Sequence, residues 1–166
     1  MAFLRELNLE ITLPAGAVGR KFDGDDHGLS HCMSAVDFIV ELSDRVYFIE
    51  LKDPDDATDE VRKLAFAESL ESGTLGNNLK TKFRDTWIYE WAENRISKPV
   101  YYLILIAFER LTADDLSTRK KEIERLLPLQ GPANQPWKQP FARGCAVFNL
   151  AAWNRTMSDM PIRRVT

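Results

Sequence analysis

The chain has 166 residues, 45% of them hydrophobic and 28% charged, and a formal net charge of −3. That composition excludes a disordered chain and predicts a folded unit with a buried core, with residues 1–166 read as one domain. The acid surplus argues against a general electrostatic grip on nucleic acid and leaves room only for a local basic patch.

The opening stretch, MAFLRELNLEITL, lacks the charged-then-apolar pattern of an export signal. Its secondary structure is ambiguous. Phe3, Leu4, Leu7 and Ile11 fit a helical face, while Leu9, Ile11 and Leu13 alternate as in a strand. Residues 14–30, rich in Gly and Asp, read as loop with a brief strand near 18–22. Two runs dominated by Val, Ile, Phe and Tyr follow, at 35–42 and 46–51, and the short link Ser43-Asp44-Arg45 between them predicts an antiparallel hairpin.

Asp53-Pro54-Asp55-Asp56 stops the second strand, because Pro54 cannot donate to a ladder. A helix is expected over 58–71. Its inner stripe begins at Val61, Leu64 and Ala65, with Phe66 and Leu70 offering a rotated alternative. A second helix is expected from Asn77 or Asn78 to about Asn94, with Leu79, Phe83, Trp87, Ile88 and Trp91 on one face. The run 100–108 (VYYLILIAF) is about half the length of a membrane span, and its lack of alternation predicts a strand buried on both faces. A helix starting at Thr112 and ending before Pro128, a proline-rich loop at 130–140, a strand at 144–150 and a short helix at 151–157 complete the chain. The order predicts a mixed α/β fold.

Asp37, Glu50 and Lys52 are set into or directly after the apolar runs of the hairpin. Buried unpaired charges are costly, so these groups need partners, a metal or water. Glu50 and Lys52 are two apart and share a face. A two-residue turn at Ser43-Asp44 pairs Asp37 with Glu50 on that face; a three-residue link pairs Asp37 with Leu51 on the other. Two neighbouring carboxylates suit a hard divalent cation, Mg²⁺ or Mn²⁺. Such an ion lowers the pKa of a bound water and stabilises charge on a phosphoryl group, and an adjacent lysine can serve the water or the developing charge.

Asp37, a gap, and then Glu50-Leu51-Lys52 resembles the PD-(D/E)XK nuclease superfamily, with Val36 standing where the motif's name has Pro. The resemblance spans about residues 30–110 in element order. It implies a restriction-endonuclease-like mixed sheet with the motif on an antiparallel hairpin, flanked by helices. It further implies metal held by Asp37, Glu50 and the Leu51 carbonyl, with Lys52 serving the attacking water. Helix acids ahead of the motif complete the site in some members, which points to Glu6 or Glu10 here.

The function expected on this basis is metal-dependent hydrolysis of nucleic-acid phosphodiesters, DNA before RNA. The alternative is an inactive binding or assembly module on the same fold. Lys80, Lys82 and Arg84 supply the local basic patch, partly answering the acidic run at Asp53, Asp55 and Asp56. A homodimer or a partner subunit would supply recognition, and the cytoplasm is the expected compartment, since Cys32 and Cys145 form neither a disulfide framework nor a zinc set.

Blander readings hold elsewhere. His27, His31 and Cys32 have a metal-like spacing but no further ligands nearby, so they are read as loop residues, with His31 able to flank the cleft. Trp87 and Trp91 are read as core rather than as base-stacking platforms; Trp137 and Trp153 are freer to meet a partner. Arg119-Lys120-Lys121 and Arg163-Arg164 are read as solvated faces.

Overall fold

The computed structural model describes residues 2–24, 28–56 and 58–165. In chain order the elements are β1 (Phe3–Glu6), β2 (Leu9–Thr12), β3 (Val18–Lys21), β4 (Phe38–Glu41), β5 (Val46–Lys52) and a 3-10 turn at Pro54–Asp56. Then come α1 (Glu60–Glu71), α2 (Thr74–Ala92), β6 (Val100–Ile106), α3 (Ala113–Leu126), β7 (Gly144–Phe148), α4 (Leu150–Thr156) and β8 (Ile162–Arg164). The chain is therefore α/β. A five-stranded mixed sheet runs β3-β4-β5-β6-β7, and a three-stranded antiparallel sheet runs β1-β2-β8.

In the larger sheet β3, β4 and β5 form an antiparallel unit, and β6 and β7 join β5 in parallel. Parallel neighbours need crossovers, supplied by α1 and α2 between β5 and β6 and by α3 between β6 and β7. Side chains alternate across the sheet. Phe48, Ile104 and Val147 join Leu70, Leu79, Phe83 and Ile123 in a core beneath the helices α1, α2 and α3. Ile49, Leu51, Leu103 and Leu105 face the other way and pack with Leu9, Ile11, Trp153 and Ile162 from the small sheet and α4. All but one residue of β6 is buried, as its unbroken apolar run requires.

Capping chemistry sets the helix starts. Asp59 accepts from the Val61 amide at α1, and Thr112 and Asp115 form a reciprocal capping box at α3. The buried side of α1 is the rotated one. Leu70 is buried and Phe66 packs against the core, whereas Val61 and Leu64 are exposed.

Helix α2 starts at Thr74, earlier than its Asn77 or Asn78 caps suggest, because Gly73 turns the chain with φ of 80°. Its apolar face also differs from expectation. Leu75, Leu79 and Phe83 are buried, but Ile88 and Trp91 are exposed and Trp87 is half-buried, since Thr86 and Glu90 take the inner positions of the last turns.

The ambiguous N-terminal segment is a hairpin, not a helix. Its strands pair through Glu6↔Leu9, and β2 is buried between β1 and β8. The final strand β8 lacked a readable pattern at three residues. In the tight turn of the first hairpin Leu7 adopts φ of 49°, a left-handed conformation that disfavours a β-carbon, while its side chain is 66% exposed. Replacing Leu7 with Asn relieves that conformation at little loss of burial and is expected to stabilise the fold by about 0.5–1 kcal/mol in denaturant titrations.

Candidate functional site

The ladder between β4 and β5 pairs Phe38 with Ile49 and Glu41 with Val46, and Leu42 donates its amide to the Arg45 carbonyl at 2.9 Å. The link is therefore a two-residue turn at Ser43-Asp44. One step beyond the ladder, Asp37 stands opposite Glu50, on the sheet face covered by α2. Of the two registers open in the sequence, this is the one that brings the carboxylates together.

Glu50 is fully buried and Asp37 is 4% exposed. Asp37 accepts from the Leu51 amide at 2.6 Å, so the backbone at Leu51 faces the pair. Lys52 donates to Glu50 Oε1 at 2.5 Å, and its side chain reaches partly into solvent. The second carboxylate oxygen, Glu50 Oε2, is buried with no hydrogen-bond partner. A buried carboxylate oxygen left without a donor is costly, and a cation relieves it.

One group was missed among the candidate ligands and acids. Lys82, near the middle of α2, donates to Glu50 Oε1 at 2.7 Å and lies 3.6 Å from Asp37 Oδ1, bridging both acids. Thr86, four residues on, accepts from the Val36 amide at 3.0 Å, and Asp85 accepts from the Ser34 amide at the same distance. Glu90, four further, is 3% exposed between Arg20 of β3 and Arg95. Lys82, Thr86 and Glu90 thus form a polar line beside the apolar stripe of α2 and tie it to β3 and to the approach to β4. The i, i+4, i+8 spacing of polar residues along an apolar stripe was the available signal. Below the carboxylates lies an aromatic floor, with Phe83 5.5 Å from Phe48 and 4.9 Å from Tyr102 between ring centroids.

This setting shifts protonation. Burial, and then the charge of Glu50, push Asp37 up from 3.8 to about 7, against the pull of Lys82, the Leu51 amide and Lys52. Lys82 is held above its ordinary value. Burial opposes its charge, but Glu50 and Asp37 outweigh that effect. Asp23 is raised by burial first and by the charges of Glu6 and Glu50, with Lys21 and Lys82 opposing, which places a third carboxylate within electrostatic reach of the pair.

The remaining candidates lie elsewhere. Glu10 is held by Arg5 at 2.6 Å and by Arg163 on the small sheet, and Glu6 pairs with Lys21 at 2.5 Å. Neither joins the carboxylate pair, because the segment is a hairpin on the opposite side of the sheet and not a helix beside the motif. His31 and Cys32 are exposed, and His27 lies outside the described residues. Among the described residues no three His, Cys, Asp or Glu side chains group as a metal cluster.

The basic residues of α2 do not form one patch. Lys82 turns inward, whereas Lys80 bonds Asn77 and Arg84 sits on the outer side with Ile88 and Trp91 around an apolar groove closed by Phe141. Trp153 is fully buried, not free to meet a partner, and Trp137 packs on Phe141 with 40% of its surface exposed. Arg119 and Lys120 pair with Glu122 and Glu124, and Arg163 and Arg164 with Glu10 and Asp53. The acidic run after Lys52 is likewise engaged: Asp53 by Arg164, Asp55 by the Glu109 amide at 2.7 Å, and Asp56 by Asn8.

No family model, curated protein or solved structure matches the chain. Among the described residues no helix is long and apolar enough to cross a membrane.

The raised Asp37 gives a signed pH dependence. The folded state keeps a proton that the unfolded chain has already released, so this group's contribution is greatest at low pH. It is lost as pH rises from the unfolded value of 3.8 through the folded value of about 7. Without divalent ions, Asp37→Asn is expected to remove this slope, so that its stability relative to wild type rises by on the order of 2–4 kcal/mol between about pH 4 and about pH 8. Denaturant melts of both proteins across that range make the comparison.

Proposed function

We propose that the chain is a nuclease-like protein of the PD-(D/E)XK type, a metal-dependent hydrolase of nucleic-acid phosphodiester bonds. The observation that carries this reading is the pairing of Asp37 with Glu50, Lys52 on the same face, at the end of an antiparallel strand unit. The helical crossover to a parallel strand β6 fits the restriction-endonuclease-like core. The N-terminal hairpin departs from it, standing where that core has a helix.

Mg²⁺ or Mn²⁺ would be held by Asp37, Glu50 and the Leu51 carbonyl. The orphaned Oε2 of Glu50 fits such an ion, as do two hard carboxylates with room for water ligands. When bound, the ion lowers the pKa of a water and stabilises charge on the phosphoryl group.

The chain's own residues do the rest. The Leu51 amide fixes the Asp37 carboxylate in rotation, and burial of Glu50 holds the second acid rigid. Lys52, a partly exposed side chain with its ammonium on Glu50, stands where it would orient a water or meet charge developing on the phosphate. Arg164 neutralises Asp53, one of the three charges of the acidic run, while Asp55 and Asp56 are held by neutral amides and keep theirs. DNA is the first substrate to test, with recognition supplied by a second copy or a partner subunit and the cytoplasm as the compartment.

A second reading, an inactive binding or assembly module, is favoured by one observation. Two lysines already converge on Glu50 Oε1, neutralising the site without a metal.

Cleavage of mixed DNA and RNA substrates with Mg²⁺ or Mn²⁺ separates the two. The nuclease reading expects metal-dependent cleavage, lost in Asp37→Ala and lowered about 10²-fold or more in Lys52→Ala. Metal binding that is equal in wild type and Asp37→Ala, with no cleavage by either, would leave the binding module.

A further inference from the structure

Lys82 belongs to neither Asp37 nor Glu50 alone; its ammonium lies across both, at 3.6 and 2.7 Å. These are the two carboxylates through which a divalent cation would be held, with Glu50 Oε2 free beside the lysine, so the ammonium stands in the seat that such an ion needs. We propose that Lys82 is a positioning residue, a resident counter-ion that holds the two carboxylates together in the metal-free protein and is displaced when a divalent cation binds. The inference rests on the metal-dependent reading above and adds to it an internal competitor for the ion.

Three features support displacement in place of co-occupancy. An ammonium and a divalent cation on the same two carboxylates repel each other, and the buried setting screens that repulsion poorly. The lysine stem is flexible, and the side chain is 24% exposed, so it can leave towards solvent by rotation alone. The helix that bears it cannot follow. Thr86 and Asp85 fasten α2 to the amides of Val36 and Ser34, one turn beyond Lys82.

Lys52 behaves differently. Among the described residues its ammonium pairs with Glu50, through Oε1, and forms no ion pair with Asp37, so it does not span the seat. The two lysines therefore divide the work: Lys82 holds the pair before metal arrives, and Lys52 stays beside the site afterwards.

The test is a Mn²⁺ titration of the full chain, following free Mn²⁺ by electron paramagnetic resonance, for wild type, Lys82→Met and Asp37→Asn. Lys82→Met keeps the stem and removes the charge; it is expected to bind Mn²⁺ at least about ten-fold more tightly than wild type, while Asp37→Asn binds more weakly. If wild type binds Mn²⁺ and a folded Lys82→Met binds it no more tightly, the inference is overturned and the metal-dependent reading stands. If wild type and Lys82→Met both fail to bind, the metal-dependent reading falls and the inference with it.

A measurement on wild type alone guards against a variant that does not fold. With ¹⁵N-labelled lysine, the Lys82 ammonium resonance is expected to be protected in metal-free protein and to be lost or moved as Mg²⁺ saturates the site. A resonance unchanged at saturating Mg²⁺ would overturn the displacement.

Discussion

Glu50 has no exposed surface and Asp37 almost none, so the centre of the larger sheet depends on the ammonium of Lys82 lying across both carboxylates. Removing one partner of a buried ionic group costs far more than the group contributes when complete. Much of the local architecture serves that contact. The two-residue turn sets the register that brings the acids face to face. The anchors from Thr86 and Asp85 hold α2 over them, and Phe48, Phe83 and Tyr102 seal the floor. The low-dielectric surroundings that make the carboxylates repel each other also make the lysine's attraction strong.

Electrostatic pairing recurs away from this centre and changes how the net charge should be weighed. Glu10 sits between two arginines, Glu90 between Arg20 and Arg95, and Asp53 against Arg164. In these clusters three acids engage five arginines, so pairing fixes where charge sits in the molecule and leaves the acid surplus in place. The field felt by an approaching polyanion depends on which charges remain unpaired at the opening, and a formal sum over the chain does not describe it.

The hairpin of β4 and β5, the buried run of β6, the capped start of α3 and the order of the larger elements were legible because each carries a local signal. β-branched runs, a short polar link, and a Thr-x-x-Asp cap are all read from neighbours in sequence. Asp37, Glu50 and Lys52 were legible for the same reason, as charges placed in apolar strands. Lys82 was not. Its meaning comes from contacts with residues more than thirty positions away, and by composition it is one basic residue among three. The N-terminal hairpin was ambiguous because Leu9, Ile11 and Leu13 suit a strand while Phe3, Leu4, Leu7 and Ile11 suit a helix, and only pairing with β8 decides between them. Trp91 was misplaced on the core stripe because Thr86 and Glu90, polar by type, proved to face inwards.

The small sheet imposes an order of events on folding. Strand β2 has neighbours on both edges only when β8 lies beside it, and the Arg163–Glu10 contact spans 153 residues. Closing so long a loop cannot be an early step, because its entropy must be offset by structure already formed between the two ends. The central sheet with its three helices is therefore the template on which Leu9 and Ile11 pack, and the edge of β2 stays unpaired until β8 docks. During synthesis that hairpin is made well before β8 and gains its last strand only when β8 docks, an interval in which its open edge is exposed to pairing with other chains.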